Sequence, residues 1–272
     1  MSTTSTGLLS QAIKNLKAMG AQIKALANLP ADAATIKTSA LNVFQGEITT
    51  IEGIQTKVAQ FASASLPQLE QAKTDLENNT NLDQVETIIK NLNTSSTGLK
   101  TAVDASVTTI NSNKDQVVKL THALVPIGTQ LNNQNITLHT QLQSAQQEAA
   151  AIRSKEKYFL ALGILGLVGL AGAAIALKVQ EDKVNGLLAQ ASKLGQEIAN
   201  LEILIKSVKT MTTDFMGIIN KMSTIKNAVD FVSSDIGEIV NDLKNTQGGQ
   251  TKAKLYIIAT ISQLNTLAGD AS

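Results

Sequence analysis

Apolar residues recur at every seventh position along two long stretches of this 272-residue chain, and that period leaves few folds open. Counting by sevens from Leu82 gives Leu82, Ile89, Ser96, Val103, Ile110, Val117, Leu124, Leu131, Leu138, Ala145 and Ile152, with Ser96 the one polar member. In a chain with 43% hydrophobic residues, chance gives such a line in about one register in a thousand. A companion line of Val85, Leu92, Leu99, Leu120 and Ile127 is weakened by Ser106, Asn113 and Gln134. The second stretch runs through Leu187, Leu194, Leu201, Val208, Phe215, Met222, Val229, Ile236 and Leu243, flanked by Val184, Ala191, Ile198, Ile205, Ile219 and Val240. Seven residues make two helical turns, so each stretch predicts one long helix with an apolar stripe. At 1.5 Å per residue the helices measure roughly 105 and 90 Å. Two stripes of similar length bury most simply against each other, antiparallel.

The rest of the chain supplies further helices. Leu8 opens an amphipathic segment with Leu9, Ile13, Leu16, Ile23 and Leu26 on one side, and Gln11, Lys14, Lys17 and Lys24 on the other. Pro30 ends it and Asp32 is a fitting cap for the next helix. That helix buries Phe44, Ile48, Ile51, Val58 and Phe61, and Leu66-Pro67 kinks or restarts it. The cluster Asn78-Asn79-Thr80-Asn81 predicts a turn. Pro126 and Gly128 interrupt the backbone of the first long helix but not its register, which makes them kink or hinge positions, as is Gly186 in the second. Gly248-Gly249 breaks the second long helix, and a last amphipathic helix carries Leu255, Ile258, Ile261 and Leu264. Only 3% of residues are aromatic and only 3 are Pro, which suits long helices better than a compact enzyme core. The expected fold is all-α, an elongated antiparallel helical bundle. Residues 1–157 hold helices at 8–29, 32–77 and 82–157, and residues 178–272 hold helices at 178–246 and 251–268.

Between the two long helices lies the stretch YFLALGILGLVGLAGAAIAL, Tyr158 to Leu177, with no charged residue. Arg153, Lys155, Glu156 and Lys157 precede it, and Lys178, Glu181, Asp182 and Lys183 follow. As one helix, twenty residues cover about 30 Å, the hydrocarbon thickness of a bilayer. Its members Leu160, Leu162, Ile164, Leu165, Leu167, Val168, Leu170, Ile175 and Leu177 favour insertion, and Tyr158 and Phe159 sit where rings prefer the interface. Gly163, Gly166, Gly169 and Gly172 fall every third residue, and Gly166, Gly169 and Gly172 offer small surfaces for close helix packing. Glycine also weakens a helix in water by about 1 kcal/mol relative to Ala, so the stretch is expected to fold back or be partly helical away from lipid. No polar side chain lines it, which suits an anchor better than a pore wall. The basic helix of Leu9, Ile13, Leu16, Ile23, Lys14, Lys17 and Lys24 is a candidate second membrane element; the plainer reading of the same pattern is packing on the bundle.

Other functions find little support. The net charge is +1, and no basic run interleaved with aromatics exists to neutralise phosphates, so no nucleic-acid partner is expected. There is no Cys, and the two histidines, His122 and His139, sit outside any metal-binding motif. No nucleophile elbow or phosphate-binding loop occurs. Carboxylates fall at heptad positions that face solvent. An enzyme is therefore not expected, nor any cofactor. The N-terminus has no basic region followed by an apolar run, so export without a Sec signal peptide is expected.

Two heptad helices flanking an apolar segment, with amphipathic helices at both ends, resemble the α-helical pore-forming toxins. These include cytolysin A, the hemolysin BL and non-haemolytic enterotoxin components, and the xenorhabdolysin-type toxins. The resemblance covers nearly the whole chain and is architectural. It implies a secreted protein that binds the lipid bilayer of a target cell, inserts residues 158–177 as its head and oligomerises. The partners implied are further copies of itself, one or two homologous toxin subunits, or both. One apolar segment with no amphipathic extension favours one part of a multi-part toxin. A type III secretion translocator and a resident single-pass coiled-coil scaffold are the alternatives.

Overall fold

The computed structural model describes residues 7–161, 167–243 and 249–272, with the side chains of 152 and 155–177 outside the described set. It contains five helices, α1 (Leu8–Ala25), α2 (Ala31–Asn78), α3 (Leu82–Ala161), α4 (Leu167–Leu243) and α5 (Gly249–Ala271), and no strand among the described residues. Spatially the chain divides in two. Unit 1 comprises Met1–Lys24, Ser39–Lys119 and Val208–Ser272; unit 2 comprises Ala25–Thr38 and Leu120–Ser207.

The turn between α2 and α3 is built where the asparagines stand. Asn79 and Asn81 take φ of 53° and 52°, a left-handed conformation that Asn tolerates better than most residues. The N–H of Thr80 donates to the Asp75 carbonyl at 2.9 Å and that of Asn79 to Leu76 at 3.4 Å, which is the Schellman closure of a helix end. The buried Asp75 carboxylate then accepts from Gln71, Thr80 and Asn81. Those hydrogen bonds, Gln71 foremost, hold its carboxyl below the usual range.

In unit 1, α1 to α5 surround one core. Leu9, Leu16 and Ile23 of α1, Phe44 and Ile51 of α2, Ile89 and Ile110 of α3, Phe215 and Ile236 of α4, and Ile257 and Leu264 of α5 are all buried. The α3 and α4 segments run antiparallel, since Ser96 meets Ser233 while Lys100, further along α3, meets the earlier Asp230. Ser96, the polar member of the heptad line, is fully buried and donates to the Asn93 carbonyl at 2.9 Å. Lys226 bridges Asp104 at 3.0 Å and Asp230 at 2.7 Å. Burial pushes the Asp230 carboxyl up, but hydrogen bonds and charge from Lys100 and Lys226 pull it further down. In unit 2, Gly128 of α3 lies against Leu201 and Ile205 of α4, Glu148 meets Lys183, and the α1–α2 connection joins α4 through Asn200, which donates to the Ala27 carbonyl at 2.8 Å.

Several expectations need correction. α2 is helical through Leu66-Pro67 to Asn78 rather than restarting. Pro67 is exposed, so the Ser63 carbonyl that loses its intrahelical donor can be hydrated. Asp32 lies inside the first turn of α2, not at the cap, because the helix begins at Ala31. In α4 the second fully buried line is Leu204, Met211, Ile218, Ile225, Val232 and Ile239, while Ile205, Ile219 and Val240 are half-buried. A helix inside a bundle buries a wider stripe than a two-helix seam does. α5 turns Ala253, Ile257, Thr260, Leu264 and Leu267 inward and leaves Leu255 and Ile258 exposed; its inward face uses small residues that a search for large aliphatics overlooks. Finally, Glu47, Asp75 and Asp235 are buried, against the expectation that all carboxylates face solvent.

Candidate functional site

The apolar stretch belongs to the junction of α3 and α4. α3 is helical to Ala161 and α4 from Leu167, so on their antiparallel course the stretch is shared between two helices. Leu162, Gly163, Ile164, Leu165 and Gly166 lie outside the described residues, as do the side chains of Tyr158, Phe159, Leu160, Leu167, Val168, Leu170, Ile175 and Leu177 and the surroundings of Gly169 and Gly172. Among the described residues, no helix is long and apolar enough to cross a membrane.

Charge borders the stretch on both helices. Arg153 pairs with Glu181, and Lys183 approaches Glu148 at 3.6 Å, each side chain about half exposed. These pairs join α3 to α4 within about one to three turns of the apolar residues. An uncharged apolar connection bounded by paired charges can enter hydrocarbon while its borders stay at the headgroups.

The α1 residues proposed as a second membrane element take different surroundings. Leu9, Leu16 and Ile23 are fully buried and Ile13 nearly so, whereas Lys14, Lys17 and Lys24 are exposed. Lys17 pairs with Glu52 at 2.9 Å and Ser10 accepts from Gln55 at 2.7 Å. At the start of α1, Gly7 leaves no room for a side chain: a Cβ there would stand 2.5 Å from the carbonyl oxygens of Gly269 and Ser272. The apolar face of α1 is thus occupied by the unit 1 core. The hinge candidates Pro126, Gly128 and Gly186 lie inside helices, with Pro126 and Gly186 exposed.

Sequence reasoning missed three buried carboxylates, of which Glu47 is the most enclosed. Glu47 of α2 is fully buried; Asn113 of α3 donates to its Oε2 at 2.9 Å, and Oε1 has no partner. Burial pushes its carboxyl up to about 7, against a smaller opposing pull from Asn113. The signal was Asn113 itself, a polar residue in the companion heptad line that a buried polar partner would satisfy. Among the described residues no group of His, Asp and Glu gathers to hold a metal, and His122 and His139 are both exposed.

This all-helical arrangement has well-defined counterparts. The chain has the fold of the α-pore-forming toxin components. The soluble AhlC component of the tripartite toxin of Aeromonas hydrophila is 25% identical, with a TM-score of 0.70 over 98% of each chain. The SmhB pore of the tripartite toxin of Serratia marcescens matches at 0.64 with 12% identity over 96% of each chain. The AhlB pore of Aeromonas hydrophila matches at 0.63 with 14% identity, covering 97% of this chain and 92% of that one. No protein-family model and no curated protein matches the sequence.

Proposed function

We propose that this chain is one component of a multi-part α-pore-forming toxin, delivered in soluble form and anchored in a target membrane by residues 158–177. The observation that carries the reading is the α3–α4 hairpin, held together up to Arg153 and Glu181 and joined by a stretch without charge. The likeness to a soluble toxin component over 98% of the chain supports it. The matched structures lend no support to the translocator or scaffold alternatives.

Geometry narrows the role. A straight spanning helix would carry α4 and α5, with all their charges, across the bilayer. Insertion as a hairpin avoids that. Each arm then has about ten residues and reaches about 15 Å, half the hydrocarbon thickness. The chain serves as an anchor and recruiting part, and homologous subunits or further copies complete the aqueous wall. No step of this function requires catalysis.

Liposome flotation with dye release tests this. The chain alone is expected to float with vesicles and release little dye, with release rising when partner subunits are added. Leu170→Lys places a charge in the tip and should abolish flotation while leaving the thermal melt unchanged. Failure of the unaltered chain to float with any lipid composition would sink the reading.

A further inference from the structure

Inside unit 1, α2 and α3 border a groove of about 460 Å³. The two helices run antiparallel there, since the turn at 78–81 joins them and Asn113 meets Glu47. Residues 57–68 of α2 therefore line one side and residues 102–91 of α3 the other, over a length of about 16 Å. The floor is apolar, with Phe61, Leu92 and Leu99 all buried. The walls are small: Ala64 on α2, and Ser95, Gly98 and Ala102 on α3. A Cβ on Gly98 would meet nothing within 4 Å, so no close helix crossing explains this glycine. Glycine inside a helix weakens it relative to alanine; here the missing side chain leaves the groove open.

Two polar groups of the lining have no partner in the fold. Ser65 is 1% exposed, and its hydroxyl makes no hydrogen bond. Thr49, Thr50, Thr56 and Thr74 of the same helix each donate to the carbonyl four residues back; Ser65 does not. A buried hydroxyl left in that state costs free energy, which a ligand offering a hydrogen bond would recover. Lys57 stands at one end of the groove, about 12 Å from Ser65 along α2. It is the one charged residue of the lining, is exposed, and makes no ion pair among the described residues.

These features define a ligand by exclusion. It needs a hydrocarbon body for the floor, an anion for Lys57, and a hydroxyl for Ser65 about 12 Å from that anion. A fatty acid supplies the first two and leaves Ser65 unpaired. A sterol supplies the body and the hydroxyl and leaves Lys57 alone. A nucleotide would set charged phosphates over an apolar floor. A hydroxylated steroid carboxylate supplies all three on one rigid frame, and rigidity lowers the entropy lost on binding. The groove has the volume of an ordinary small-molecule site.

We propose that this groove binds a steroid carboxylate of the bile-acid type. Its carboxylate meets Lys57, its rings lie on Phe61, Leu92 and Leu99, and a ring hydroxyl pairs with Ser65. Bound across α2 and α3, it stabilises the folded form by mass action. The site is separate from residues 158–177 and stands without the membrane reading.

Cholate, kept below its micelle-forming concentration, is titrated into the full-length chain by calorimetry, with melting curves recorded in parallel. Saturable one-to-one binding and a raised melting temperature are expected. Lys57→Met should weaken binding roughly tenfold, since the hydrogen bond it removes is to a charged group. Ser65→Ala deletes a hydroxyl that has no partner, so the fold does not suffer. It should weaken cholate several-fold and leave cholanate, which has no ring hydroxyl, unchanged. Gly98→Leu fills the groove and strengthens the helix; it should abolish binding with the melting curve of the free chain no lower. Equal affinity for cholate and cholanate overturns the proposal, as does unchanged affinity in Gly98→Leu or heat that appears only as micelles form. Laurate binding as tightly as cholate overturns it too. Binding lost in Leu170→Lys but kept in Gly98→Leu would put the amphiphile on the apolar stretch instead. Flotation reads that stretch and calorimetry reads the groove, so the two readings fail separately.

Discussion

α4 passes through both units with one heptad pattern and meets two different environments. Between Val208 and Ile239 it buries two complete lines, Val208, Phe215, Met222, Val229 and Ile236 with Met211, Ile218, Ile225, Val232 and Ile239. Between Lys178 and Asn200 only Leu194 is buried, while Val184, Leu187, Ala191 and Ile198 are half-exposed. All five helices contribute to unit 1, whereas unit 2 has only α3, α4 and the stretch from Ala25 to Thr38. A heptad declares that a helix has a neighbour, not how many. A segment with one buried line opens at lower free energy than one with two. The α3–α4 segment of unit 2 is thus the cheaper part to rearrange, which the proposed membrane anchor would require.

The sharpest way to break this comparison is to remove side chains from the same heptad line in each unit. Phe215, fully buried in unit 1, should cost about 3–5 kcal/mol as Phe215→Ala, through lost transfer energy and an unfilled cavity. Leu187, half-exposed in unit 2, should cost only about 1 kcal/mol as Leu187→Ala, in proportion to the area it buries. Urea unfolding of both variants measures this. Equal losses would mean that the two units are stabilised alike.

Glu47 sharpens the comparison from the electrostatic side, because it sits inside the tightly packed unit. Its carboxyl titrates near 7 when folded and near the ordinary 4.5 when unfolded. Between these values the folded state holds a proton that the unfolded state has lost, so stability falls as pH rises through that window. The cost reaches about 3 kcal/mol above pH 7 and vanishes below 4.5. Glu47→Gln keeps a hydrogen-bonding partner for Asn113 and removes the buried charge. It should stabilise by about that amount at pH 8 and by little at pH 4. Denaturant titrations at the two pH values decide it, and a pH-independent effect would show that Glu47 does not ionise in place.

How much of this could be read from the residues alone follows from the number of neighbours. The all-α class, both long helices and the asparagine turn at 78–81 were legible, because periodicity and left-handed Asn are local signals. The second buried line of α4 and the inward face of α5 were not, since which of two adjacent stripes goes inside depends on where the third helix packs. Glu47 was hidden for the same reason: α2 shows the site as an ordinary carboxylate, and only Asn113, 66 residues away, gives it an interior. For the candidate site, absence of charge from 158 to 177 was plain. That α3 stays paired with α4 up to its border required the cross-helix ion pairs.

Those ion pairs invite overvaluation, and the smallest predicted effect concerns them. Arg153 and Glu181 are 58% and 43% exposed, Lys183 and Glu148 52% and 48%. Charges so open to water gain little Coulomb energy and lose side-chain entropy, and measured couplings for such pairs are about 0.2–1 kcal/mol. A double-mutant cycle of Arg153→Ala with Glu181→Ala should therefore give a coupling below about 1 kcal/mol, declining further as salt shortens the screening length. If the coupling were several kcal/mol, the hairpin would be locked by charge rather than loosely seamed. The contrast between the units would then rest on electrostatics instead of on apolar lines. A small coupling, with flotation unchanged in both single variants, places these residues as borders that keep the apolar tip from drawing charge into lipid.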